Sequence, residues 1–194
     1  EITYGDWSSD VCSSDLTFWF KNCYPQPEPS NSIRLSIKKY AVENNLQFLN
    51  LRSKDGVMRN VIVRTASTGD VMVILVVKTY SDEIGGLLNY IKNEFPQTTS
   101  LFYVENQKVN DTINDLDLVL FHGKDYILEE MEGIKFKVGP KSFYQTNSEQ
   151  AYELYKVARE FANINSDEHV YDLYTGTGTI ANFVAAKAKH VVGI

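Results

Sequence analysis

The sequence predicts an α/β protein in two unlike parts. An α+β region with a mostly antiparallel sheet comes first, and the opening βαβ unit of a doubly wound parallel sheet follows. Three observations predict this. Short runs of β-forming residues between about positions 58 and 138 are separated by turns rich in Gly and Asp. A long stretch of helical periodicity, "NSEQAYELYKVAREFANI", comes next. The last 25 residues, "VYDLYTGTGTIANFVAAKAKHVVGI", place a glycine loop between two apolar runs. The expected division is an anomalous tail over 1–16, a central α+β domain over 17–138, and the start of a second domain over 139–194.

The tail repeats Ser-Ser-Asp twice between Ser8 and Asp15 and has neither helical nor strand periodicity. It reads as a disordered segment or as a foreign one, such as a cloning or sequencing scar. After Pro29 the prolines stop. Ser30 or Asn31 is expected to cap a helix whose apolar face is Ile33, Ile37, Tyr40 and Ala41, closed by Asn44-Asn45. Val61, Val63, Val71, Val73 and Leu75 flank the turn Ser67-Thr68-Gly69-Asp70 and predict a hairpin. "SDEIGGLLNYIKNEFP" predicts a helix capped at Ser81 and ended before Pro96. "TSLFYVEN" and "LDLVLFHGKDYILEEMEGIKFKVG" predict further strands, broken at Gly123 and Gly133.

In the second part, Asn147 or Ser148 is expected to start an amphipathic helix. Ala151, Leu154, Tyr155, Ala158 and Phe161 would form its apolar face. A strand over 169–173, the loop, a helix over about 180–187 and a strand from His190 complete the unit. Exposed apolar surface is expected around 170–173 and 191–194.

Composition narrows the function classes. A hydrophobic content of 43% suffices for a core, and a net charge of −6 argues against a broad nonspecific nucleic-acid footprint without excluding a local basic groove. No stretch approaches the roughly 18 apolar residues of a membrane helix. Two cysteines, Cys12 and Cys23, are too few for a disulfide framework. A cytoplasmic monomer is expected.

The loop reads G-x-G-x-x-A at Gly176, Gly178 and Ala181. Glycines at a strand-to-helix turn let a nucleotide ligand approach the backbone, which fits NAD, FAD or S-adenosylmethionine alike. Asp172, four residues upstream of Gly176, favours the last. A carboxylate repels a pyrophosphate but attracts a sulfonium and an ammonium. Asp172 is equally suited to capping the loop by accepting backbone N–H bonds, and the two roles are compatible.

"KVGPKSFYQTNSEQAYELY" followed by "DLYTGTG" resembles the S-adenosylmethionine-dependent RNA (uracil-5-)-methyltransferases of the 23S rRNA 5-methyluridine type. The matching motifs are Ser142-Phe143-Tyr144-Gln145-Thr146-Asn147 and Asp172 to Gly178. Weaker resemblance extends back to about residue 17. It implies a Rossmann-like methyltransferase domain, S-adenosylmethionine as cofactor and RNA as partner, ribosomal RNA first and transfer RNA second. Gln145 would hydrogen-bond the cofactor and Tyr174 would pack on it. Thr179 would bond it where relatives often carry Asn. Gly176 and Gly178 would admit it to the backbone. Phe143 is expected in the core, with contact to a target base as the alternative.

Cys23 falls where the family often has the last of four iron–sulfur ligands. With the other three missing, no cluster is expected in this chain. The family's nucleophilic cysteine and glutamate base are implied beyond residue 194. The chain is therefore expected to be truncated at both ends, to carry no catalytic residue and to be inactive alone. His122, His169 and His190 suggest no triad. Arg34, Lys38, Lys39, Arg59 and Arg64 are candidate phosphate contacts. An NAD(P)-dependent oxidoreductase and a non-catalytic RNA-binding module remain the alternatives.

Overall fold

The computed structural model describes residues 27–50 and 53–194. The expected tail, Cys12 and Cys23 lie outside the described residues. Helix α1 spans Ser30–Glu43 and buries Ile33, Ile37 and Ala41. Its start corrects the expected cap. Pro29 is the capping residue, and Ser30 and Asn31 are buried inside the helix. Pro29 has no N–H to satisfy, so the helix can begin directly after it. The Glu28 carboxylate instead serves the first turn, accepting from Ser32 N–H at 3.2 Å and from Ser32 Oγ at 2.8 Å.

The main sheet holds β1 (Met58–Thr65), β2 (Val71–Val77), β3 (Thr98–Glu105) and β4 (Leu118–Gly123), in that spatial order. β1 and β2 form the expected antiparallel hairpin, and β3 pairs with β4 antiparallel. β2 and β3 are parallel, joined by helix α2 (Asp82–Glu94). That crossover makes the sheet mostly, not wholly, antiparallel. β2 reads "VMVILVV" and every residue in it is buried. Its odd positions pack with Ile33, Ile37, Leu87 and Leu88 of the two helices. Its even positions pack with Phe102, Ile113, Ile127 and Val138 on the other face. Such an unbroken apolar run is what a strand covered on both faces requires. Gly123 ends β4 at φ +85°, where any Cβ would collide with the Thr99 carbonyl.

A hairpin of β5 (Ile127–Met131) and β6 (Ile134–Val138) turns at Glu132 and Gly133, both with positive φ. Ile127 and Val138 pack on the main sheet, while Met131 and Phe136 pack against the second part. The hairpin therefore touches both cores.

Helix α3 spans Ser148–Ala162, capped as expected by Asn147, whose side chain accepts from Gln150 N–H at 3.1 Å. β7 (His169–Asp172), α4 (Thr179–Ala185) and β8 (His190–Gly193) form the expected parallel βαβ unit. His169 and His190 are register partners with ring centroids 5.9 Å apart. The apolar face of α3 is only half covered. Ala151 and Tyr155 are buried, but Leu154 is 60% and Phe161 84% exposed. Ala151 and Tyr155 are the pair that meets Phe183 and Val184 of α4. The two-stranded sheet presents too little surface to reach the rest. Tyr171, Leu173 and Ile194 are exposed in the regions where apolar surface was expected. No described helix is long and apolar enough to cross a membrane.

Candidate functional site

β7 delivers the chain to Asp172, and the loop that follows is built on left-handed backbone. Tyr174, Gly176 and Gly178 have φ of +62°, +55° and +74°. For glycine this conformation has no steric cost, whereas Tyr174 adopts it against the usual preference. Tyr174 is 98% exposed, so its ring takes no part in the core. Around Gly176 there is open space, the nearest atom to an added Cβ being Tyr174 O at 3.9 Å.

Asp172 ties the loop together. One carboxylate oxygen accepts from Thr175 Oγ1 at 2.9 Å and from Ala181 N–H at 3.0 Å. Thr175 N–H donates to Ile194 O at 3.0 Å, and Ile194 N–H to Asp172 O at 2.9 Å. Gly178 N–H closes the turn on Thr175 O at 2.8 Å. Capping is thus a role of Asp172, through one oxygen. Thr179 is buried, and its hydroxyl meets Thr177 Oγ1 at 2.8 Å.

Asp172 is also the only acidic or basic residue between Glu168 and Lys187 apart from His169. The loop therefore presents a carboxylate and no cation. That donor set suits a positively charged ligand better than a phosphate. Beneath it lies a cavity of about 200 Å³ lined by Tyr155, Arg159, Val170, Asp172, Ile180 and Phe183. Burial, and then the Asp172 charge, push the Tyr155 hydroxyl above its ordinary pKa. The cavity is below the roughly 300–1,000 Å³ of ordinary ligand sites. A larger concavity of about 520 Å³, between Asn44–Gln47 and Thr79–Glu83, contains none of the expected site residues.

Gln145 lies in the segment between β6 and α3 and is exposed. Its neighbours are firmly held. Arg64 donates to Ser142 O at 2.9 Å and Gly139 O at 3.3 Å. Arg59 donates to Asn106 O, Lys108 O, Asn110 O and Asp111 Oδ1, with its side chain 4% exposed. These two arginines were candidate phosphate contacts, and the structure corrects that expectation. Both guanidiniums donate to groups inside the chain, and burial lowers the Arg64 pKa. Lys39 pairs with Glu43, and Arg34 donates to Asn31 Oδ1.

Phe143 is corrected as well, being 76% exposed rather than in the core. Tyr144 takes the inward place, packing on both cores. In an extended segment adjacent side chains point to opposite sides, so only one of the two aromatics can be buried.

Glu129 was not anticipated. It is 4% exposed and accepts from Ser67 N–H at 3.1 Å, Ser67 Oγ at 2.6 Å and Ser148 Oγ at 3.2 Å. One buried carboxylate thereby links the β1–β2 turn to the first residue of α3, immediately after the Gln145 segment. The signal was the alternation Ile127-x-Glu129-x-Met131, which sets a charge on the inward face of a strand. The Tyr144 hydroxyl is buried with no hydrogen-bond partner. Desolvation first, then the charge of Glu129, push its pKa up to about 12. Among the described residues no group of His, Cys, Asp and Glu could hold a metal ion.

The fold and the loop define a class: an α/β protein whose second part opens a doubly wound sheet with a ligand-type glycine turn. No protein-family model matches the chain. It is 55% identical, over 93% of its length, to a Bacteroides thetaiotaomicron protein named an uncharacterized RNA methyltransferase. A Porphyromonas gingivalis protein of the same name is 52% identical over the whole chain. The chain spans 40% and 42% of these relatives. A solved Pyrococcus abyssi tRNA (uracil-54, C5)-methyltransferase, in complex with S-adenosyl-L-homocysteine, is 25% identical with a TM-score of 0.67. The match covers 84% of this chain and 40% of that one. Over the part of those relatives that it spans, the chain is similar to proteins named RNA methyltransferases.

Proposed function

We propose that this chain is the cofactor-binding part of an S-adenosylmethionine-dependent RNA methyltransferase that modifies C5 of uridine. The full enzyme would act on ribosomal RNA, with transfer RNA as the alternative. In this reading residues 17–138 form the central domain and 139–194 begin the methyltransferase domain. The observation that carries it is the glycine loop whose only charge is the Asp172 carboxylate, joined to the motif that positions Gln145. Similarity to a methyltransferase solved with the demethylated cofactor supports it.

When bound, the cofactor supplies a methyl group activated by a sulfonium. Gly176 and Gly178 admit it to the backbone. Tyr174 offers an exposed ring to stack on it, and Gln145 an amide to hydrogen-bond it. The Asp172 oxygen not used in capping attracts its positive charge. Thr179 supports the loop through Thr177.

Calorimetric titration of the chain with S-adenosylhomocysteine and with NAD tests the cofactor. Binding of the first and not the second is expected. Asp172→Asn should weaken binding by about tenfold, the loss of one charge-assisted contact. Binding of NAD alone would replace this reading with the dinucleotide one.

A further inference from the structure

Arg59 and Arg64 donate inside the fold, which turns attention to cations elsewhere as contacts for an RNA backbone. Lys124 and Lys137 approach one aromatic ring from different segments. Their ammonium groups lie 5.9 Å and 4.7 Å from the centroid of Tyr126. Both lysines are exposed, and neither takes part in any ion pair among the described residues. In a chain of net charge −6, two unpaired cations gathered on one ring are a local exception.

The platform is rigid. Lys124 N–H donates to Thr99 O at 2.9 Å, and Ser100 Oγ to Tyr126 O at 2.8 Å, both from β3. Lys137 stands on the outward side of β6, opposite Leu128. β6 leads directly into the segment that carries exposed Lys141, Phe143 and Gln145.

We propose that Lys124, Tyr126 and Lys137 form a contact surface for single-stranded RNA. The two ammonium groups take successive phosphates, and the tyrosine edge takes a base or ribose. The proposal rests on the RNA reading above. It adds where the strand lies, along the outward face of the β5–β6 hairpin and on toward the cofactor loop.

The test is fluorescence anisotropy of the full chain with a labelled single-stranded oligouridylate across a range of salt concentrations. Each phosphate contact on a single strand contributes about 0.7 to the slope of log affinity against log salt. Lys124→Ala with Lys137→Ala should lower that slope by about 1.4 and affinity by about tenfold at low salt. Lys124→Arg with Lys137→Arg should restore both. Tyr126→Leu should weaken binding with the slope unchanged. An unchanged slope in the double alanine variant overturns the surface while leaving the RNA reading intact. Equal loss from Lys92→Ala, on the exposed side of α2, overturns it by showing undirected charge. A chain that binds S-adenosylhomocysteine but no RNA overturns it and spares the cofactor reading.

Discussion

Tyr174 and Tyr144 sit in motifs of the same apparent kind, an aromatic beside a polar loop residue, yet their environments are opposite. The Tyr174 ring is almost fully exposed and contributes nothing to the core. Tyr174→Ala should leave the melting temperature unchanged and reduce S-adenosylhomocysteine affinity by about tenfold, as loss of one stacking ring does. A lowered melting temperature with unchanged affinity would remove Tyr174 from the site. Tyr144 packs a half-buried ring on both cores and leaves its hydroxyl without a partner. Removing an unsatisfied hydroxyl costs no hydrogen bond. Tyr144→Phe should therefore be neutral or stabilising by up to about 1 kcal/mol in denaturant unfolding. The same residue carries a pH signature. Its folded pKa is raised from 10 to about 12. The neutral form is favoured in the fold, so its contribution is complete below pH 10 and is lost as pH rises toward 12. An alkaline absorbance titration should show a late tyrosine phase near pH 12 that disappears in Tyr144→Phe, while the raised Tyr155 remains.

The segment between β6 and α3 gains its position from outside itself. Arg64 holds its first half from β1, and Glu129 holds the start of α3 to the β1–β2 turn. The turn is itself fixed to β5, because Leu128 N–H donates to Asp70 Oδ2 at 2.9 Å. Glu129→Ala would leave three donors without their acceptor and should cost about 2 kcal/mol. Hydrogen exchange should accelerate over 142–150 while the buried strands β2 and β3 stay protected. Protection unchanged over 142–150 would deny Glu129 this anchoring role. Phe143 and Leu154 show why a pattern of apolar residues is not enough. Periodicity says which residues share a face. Whether anything packs on that face depends on the elements brought to it.

The two parts are joined through the β5–β6 hairpin. Arg159 of α3 makes a paired contact with Glu132 at the hairpin turn, at 2.8 and 2.9 Å, and lies 3.9 Å over the Phe183 ring of α4. Arg159, then Tyr152, hold the Glu132 carboxyl below its ordinary value of 4.5. A depressed carboxylate stabilises the fold above its unfolded pKa and loses that contribution as pH falls through the folded one. Acidification below about pH 4.5 should therefore loosen α3 and α4 from the hairpin. The melting temperature of Glu132→Gln should fall less than that of the parent between pH 6 and pH 3. An equal fall in both would show that the pair does not join the parts.

Much of this protein was legible in its order of residues. β2 announces itself as an unbroken apolar run, α2 by Ser81 and Pro96, and the βαβ unit by a glycine turn between two apolar stretches. Each signal is local, because backbone conformation and side-chain periodicity are set within a few residues. The glycine loop and its carboxylate were legible for the same reason. The partners of the charged residues were not. Arg59 reaches residues 106–111, Arg64 reaches 139–142, and Glu129 reaches Ser67 and Ser148. A surface arginine and a buried one look alike in sequence. Only folding, by bringing distant carbonyls and hydroxyls around a charge, separates those that hold the fold from those left free to meet a ligand.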